Sequence, residues 1–162
     1  MVFYMGKLVF ILIALVLAAA AALLYIEGPA ENAERVKLYY YNPALDMDEE
    51  GNILCSKRGL VAVERTMQDA TPESALELLL RGEITEAEKA SGITSEFPLS
   101  GVSLLGAELA SGVLTLTFED PEFKTSGGAC RAGILWFQIE ETAKQFPGVE
   151  EVRFMPEELF QP

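Results

Sequence analysis

The sequence predicts an α+β domain: a mixed β-sheet with two main helices packed on one face, preceded by one transmembrane helix. Three observations carry this expectation. An unbroken uncharged run of 19 residues, Leu8 to Ile26, stands near the start of the chain. Short apolar stretches with strand character recur at 36–41, 60–65, 102–109, 113–118 and 149–155. Two longer segments between them, 71–81 and the stretch after Ser126-Gly127-Gly128, have apolar residues at helical spacing.

The first run, as a helix at ~1.5 Å per residue, spans roughly 28 Å, close to the hydrocarbon thickness of a bilayer. Lys7 precedes it and Glu27, Glu31 and Glu34 follow it. That asymmetry orients residues 1–7 toward the cytoplasm and the rest of the chain outward. A cleaved signal peptide is the alternative, but signal cores are shorter, about 7–15 residues. Residues 27–35 (EGPAENAER) read as a polar linker. The expected domain covers 36–156, with a tail at 157–162.

Val36, Leu38 and Tyr40 alternate on one face of the first strand, which Asn42-Pro43 ends. Leu60 to Arg65 is the second strand. Thr71-Pro72 opens a helix, with Thr as cap and Pro in the first helical position. Leu76, Leu79 and Leu80 make its apolar stripe, and Gly82 stops it. Thr85 to Glu88 has the spacing of a capping box, so a short helix runs from there to about Gly92. Val102–Leu109 and Val113–Phe118 are strands joined by a turn at Ser111-Gly112, with Leu114, Leu116 and Phe118 facing inward. The last helix has its stripe at Leu135, Ile139, Thr142 and Phe146. Pro147-Gly148 terminates it before the final strand.

Composition narrows the function. The chain has 25 acidic and 12 basic residues, no His and a net charge of −13. Lys7 is the only charged residue among the first 26, so the exported part carries 25 acids against 11 bases. A surface this acidic argues against nucleic acid and against anionic lipid as partners. Without His there is no Ser-His-Asp or Cys-His catalysis and no His-based metal site. No constellation reads as an active site, and the protein is expected not to be an enzyme.

Four features remain as candidates. Cys55 and Cys130 are the only cysteines, both in the exported part, where a disulfide persists. A bridge closes a loop worth roughly 4 kcal/mol; two separate thiols are the alternative. Asp46, Asp48 and Glu50 fall at positions 1, 3 and 5 of a calcium-loop pattern, with Gly51 at position 6. Lys57 stands where the pattern needs a bidentate Glu, so a solvated acidic turn competes with a calcium site. Ser126 to Arg131 places Cys130 beside Arg131 at a helix start, the setting for a reactive thiolate or a bound anion, but no base accompanies it. Trp136 and Phe137 flank the stripe of the last helix, and with Tyr39 and Tyr41 they form a candidate partner surface. The apolar pair Leu159-Phe160 in the tail fits its own domain or a partner equally well.

Several of these segments resemble the GerM domain (GerMN type) of sporulation and spore germination proteins. They are the Leu78-Leu79-Leu80-Arg81-Gly82 helix end, Thr85 to Glu88, Phe97-Pro98 before the next strand, and Gly112 to Phe118. The most specific is Phe146-Pro147-Gly148-Val149 leading to Val152. The resemblance covers about residues 36–155. It implies a small α/β domain outside the cytoplasm behind a membrane or lipid anchor. It also implies a non-catalytic role in envelope or sporulation complexes, with no catalytic residues to carry over. The acidic stretch 46–52 and the cysteine pair depart from that pattern. The expected partners are envelope or membrane proteins or a second copy of the chain, with no cofactor. An envelope ligand- or calcium-binding module using residues 46–52 is the alternative.

Overall fold

The structure, a computed structural model, describes residues 33–161. The expected transmembrane segment 8–26, residues 1–7 and most of the linker 27–35 lie outside the described residues. Among the described residues no helix is long and apolar enough to cross a membrane.

Strand β1 (Glu34–Tyr41) pairs antiparallel with β2 (Leu60–Met67), with Leu38 opposite Val63 and Tyr40 opposite Val61. Its alternation works as expected: Val36, Leu38 and Tyr40 are buried. The outer edge of β1 is closed without another strand. The Lys37 N–H donates to Gln145 Oε1 (2.7 Å), and Gln145 Nε2 donates back to the Lys37 carbonyl (2.7 Å). The Tyr39 N–H donates to Thr142 Oγ1 (3.0 Å), and Tyr41 exchanges backbone bonds with Thr94. Side chains from a helix thus satisfy an edge that would otherwise recruit a strand.

This edge accounts for the main correction to the expected architecture. There are two sheets, not one mixed sheet: β1-β2, and a second of order β3-β4-β5. In the second, β3 (Ser103–Ala110) and β4 (Val113–Glu119) form an antiparallel hairpin. Ser111 and Gly112 both adopt positive φ at its turn, which suits the twist of the hairpin. Strand β5 (Glu151–Met155) lies parallel to β4, so a crossover must connect them.

The helices begin where local chemistry starts them. At α1 (Pro72–Leu80), Thr71 and Ser74 exchange side-chain-to-backbone hydrogen bonds in a capping box. At α2 (Glu86–Ala90), Thr85 and Glu88 do the same. The crossover is α3 (Ala129–Lys144), capped by Gly128 with no side-chain bond. It buries Leu135, Ile139 and Thr142 and packs against α1, β1 and β5. Gly82, just past α1, has φ +64 and lies so close to the Phe97 carbonyl that a Cβ would overlap it. The chain needs glycine there.

The tail belongs to the domain. Leu159 and Phe160 are buried, and the Phe160 ring lies 5.3 Å from that of Phe118 and 5.0 Å from that of Phe154. Trp136 meets Phe154 edge-on at 4.8 Å. The folded unit therefore extends from β1 through Phe160, beyond the boundary at 156 that the sequence suggested.

Candidate interaction surface

The loop between β1 and β2 is built around a buried charge. Asp46 has no exposed surface, and three donors reach its carboxylate. They are the Tyr41 hydroxyl (2.5 Å), the Ser56 N–H (2.6 Å) and the Ser56 hydroxyl (2.5 Å). Burial alone pushes the Asp46 carboxyl up. The bonds from Ser56 and Tyr41, with Arg58 nearby, outweigh it and hold the group below the usual carboxylate range. Burial, and then the contact with Asp46, raises the Tyr41 hydroxyl above its ordinary value. Asp48 serves a second, separate turn. It accepts from the Glu50 N–H (3.0 Å), the Asn52 N–H (2.7 Å) and Asn52 Nδ2 (3.0 Å). Glu50 is exposed and contributes only its N–H. The structure therefore does not bring Asp46, Asp48 and Glu50 together as ligands. Among the described residues no three acidic or cysteine side chains converge to hold a metal ion.

Cys55 and Cys130 are joined in a disulfide with Cα atoms 5.1 Å apart. The bridge fixes the loop to the first turn of α3. It also removes the free thiol that a nucleophilic Cys130 requires. Arg131 folds back over the segment before the helix start, where it is already committed: it donates to the Lys124 and Ser126 carbonyls and pairs with Glu96. Lys57 adds a second tie, reaching Glu140 (2.5 Å) and Glu141 (2.7 Å) on α3 with its ammonium 5.4 Å from the Phe137 ring centre. Burial disfavours the charged Lys57, but its bonds to Glu140 and Glu141 prevail and raise its pKa.

Stapled in this way, the loop contributes Cys55 to a groove of about 310 Å³ whose other lining residues are Ala129, Gly133, Trp136 and Phe137 of α3 and Gln161 of the tail. Trp136 and Phe137 are half-buried and both line it. Tyr39 is half-buried on β1, and the structure does not put it in the groove lining. Tyr41 is no surface residue: it is 5% exposed, its ring lies over Gly59 and its hydroxyl is held by Asp46. The close approach to Gly59, 18 positions away in sequence, is what buries it. Sequence reasoning missed Leu45, Met47, Ile53 and Leu54, which all lie exposed on the loop; Leu54 is 46% exposed. The signal was present: an Ile-Leu pair stands directly before a cysteine in an otherwise polar stretch.

Comparison with known proteins agrees with this architecture. The model of the family described as "Germane: Sporulation and spore germination" matches residues 37–158. No curated protein matches the chain. Among solved structures, the tandem GerMN domains of the sporulation protein GerM from Bacillus subtilis align with a TM-score of 0.52 at 16% identity. That alignment covers 81% of this chain and 42% of the GerM structure, so the chain spans less than half of that protein. A structure from Clostridium perfringens aligns over 76% of this chain and 74% of its own, with 12% identity and a TM-score of 0.37. The family match takes in both sheets and all three helices, and on that ground the chain belongs to the Germane family of sporulation and spore germination domains.

Proposed function

We propose that this domain is a non-catalytic interaction module in a cell-envelope assembly connected with sporulation or germination. In this reading residues 8–26 anchor it in the membrane with its N-terminus in the cytoplasm, and the domain works outside. The anchor raises the effective concentration of the domain for membrane-bound partners. The observation that carries the reading is the stapled groove. Trp136 and Phe137 line it, a disulfide and Lys57 hold the loop that contributes Cys55 to it, and exposed Ile53 and Leu54 stand on the same loop. Apolar side chains held at the surface by covalent and ionic ties favour recognition, because little conformational entropy remains to be lost on binding. The family description supports the biological setting.

The test is crosslinking of the full-length protein in its native membranes, followed by co-purification and mass spectrometry. Wild type is compared with Leu54→Asp, which changes an exposed residue and leaves the core intact. The proposal expects an envelope or membrane protein to co-purify with wild type and to be lost with Leu54→Asp. Recovery of monomer alone, or a partner indifferent to Leu54→Asp and to Phe137→Asp, contradicts it.

A further inference from the structure

A second surface, made of a different set of residues, has a chemistry of its own. Phe123 is 75% exposed, yet its backbone sits at φ +55, a conformation disfavoured for a bulky side chain. The loop after β4 holds it there. The Asp120 carboxylate accepts from the Lys124 N–H (2.8 Å), the Thr125 N–H (2.8 Å) and the buried Thr125 hydroxyl (2.7 Å). The Ser126 hydroxyl donates to the Phe123 carbonyl (2.6 Å), and Arg131 donates to the carbonyls on either side of Thr125. Beside the ring lies a groove of about 570 Å³ whose apolar lining is Phe118, Pro121, Pro156 and Leu159. Glu119 and Glu158 also line it, and among the described residues neither has an ion-pair partner.

We propose that Phe123 and this groove form a docking site for a segment of another protein that carries an apolar side chain flanked by Lys or Arg. The volume is in the range of sites that enclose a ligand group. The two unpaired carboxylates on an apolar groove are complementary to cations next to the inserted side chain. The same charges argue against the other occupants. An anionic lipid surface and a second copy of a chain of net charge −13 are both repelled. The proposal rests on the interaction-module reading above but uses a different set of residues.

The experiment replaces Phe123 with the photoreactive residue p-benzoylphenylalanine in the full-length protein in its native host. A parallel strain carries the probe at Leu54. After irradiation, adducts are mapped by mass spectrometry. The expected adduct at position 123 lies on another protein, at an apolar residue with Lys or Arg within a few positions. Its yield should fall several-fold when Glu119→Gln and Glu158→Gln are added. An adduct only to lipid, only to a second copy, or to a segment without basic residues overturns the proposal. So does no adduct at 123 while the Leu54 probe still reacts, and that outcome leaves the module reading standing. No adduct at either position overturns both. Phe123→Gly separates binding from folding: glycine accepts positive φ, so Tm should stay level or rise while the crosslinked protein no longer co-purifies. A fall in Tm with the partner retained would mark Phe123 as structural and overturn the proposal.

Discussion

Three donors surround Asp46, and the consequence of removing their acceptor follows directly. Asp46→Ala strands the Tyr41 hydroxyl and the Ser56 N–H in a buried site, where each lost partner costs about 1–3 kcal/mol. A loss of about 2–4 kcal/mol is expected, read as a lower urea midpoint at unchanged m-value. Asp46→Asn keeps one acceptor and should lose less. Glu88 supplies a pH effect. Bonds from the Arg65 guanidinium (2.8 and 2.9 Å) and from the Thr85 N–H outweigh its burial and lower its carboxyl to about 2. Its folded pKa lies below its unfolded value, so the pair's contribution is complete above the unfolded pKa near 4.5 and disappears as pH falls toward 2. Asp46, also lowered, adds to the same trend. Tm should therefore decline as pH is taken from about 5 to about 2. Glu88→Gln should flatten that decline, and an unchanged slope in the variant would contradict the assignment.

At the scale of elements, the disulfide and Lys57 tie the loop between β1 and β2 to α3. The Cys55→Ser/Cys130→Ser double variant should lose up to roughly 4 kcal/mol, the loop-closure value. Hydrogen exchange should quicken in 43–56 before it changes in β3, β4 or β5, because the staple acts on the loop and not on that sheet. Element starts and stops were legible in the sequence because their causes are local. Thr71-Pro72, the Thr85–Glu88 pair and Ser111-Gly112 each act within four residues, and the helices and hairpin begin and turn where they stand. The division into two sheets was not legible. It depends on Gln145 and Thr142 reaching the edge of β1 from more than 100 positions away, and nothing in the sequence near β1 announces that partner. Tyr41 fails for the same reason: strand alternation turned it outward, but Gly59 let the next segment close over it. In the candidate surface, the pairing of Cys55 with Cys130 was legible from residue type and position. The carboxylate pattern of residues 46–50 misled, because spacing alone does not reveal that Asp46 and Asp48 already have donors.

The whole molecule is closed by its own tail. Phe160 joins Phe118, Phe154 and Trp136 in an aromatic cluster that connects β4, β5 and α3. Phe160→Ala should cost about 3–5 kcal/mol, as deletion of a fully buried ring does, measured by chemical denaturation. An unaffected midpoint would mean that the tail only rests on the domain. Among the described residues, the groove beside the disulfide and the groove beside Phe123 are two of the surfaces that a core sealed from 34 to 160 leaves exposed. Both consist of apolar side chains held on rigid supports, an arrangement that suits binding to another protein. The most direct measurement is photo-crosslinking from p-benzoylphenylalanine at Leu54 in the full-length protein in its native membranes. A single dominant adduct to an envelope or membrane protein is expected, abolished when Phe137→Asp is added. An irradiated sample that yields only uncrosslinked monomer, or an adduct that survives Phe137→Asp unchanged, would contradict the claim that this groove is where the domain binds.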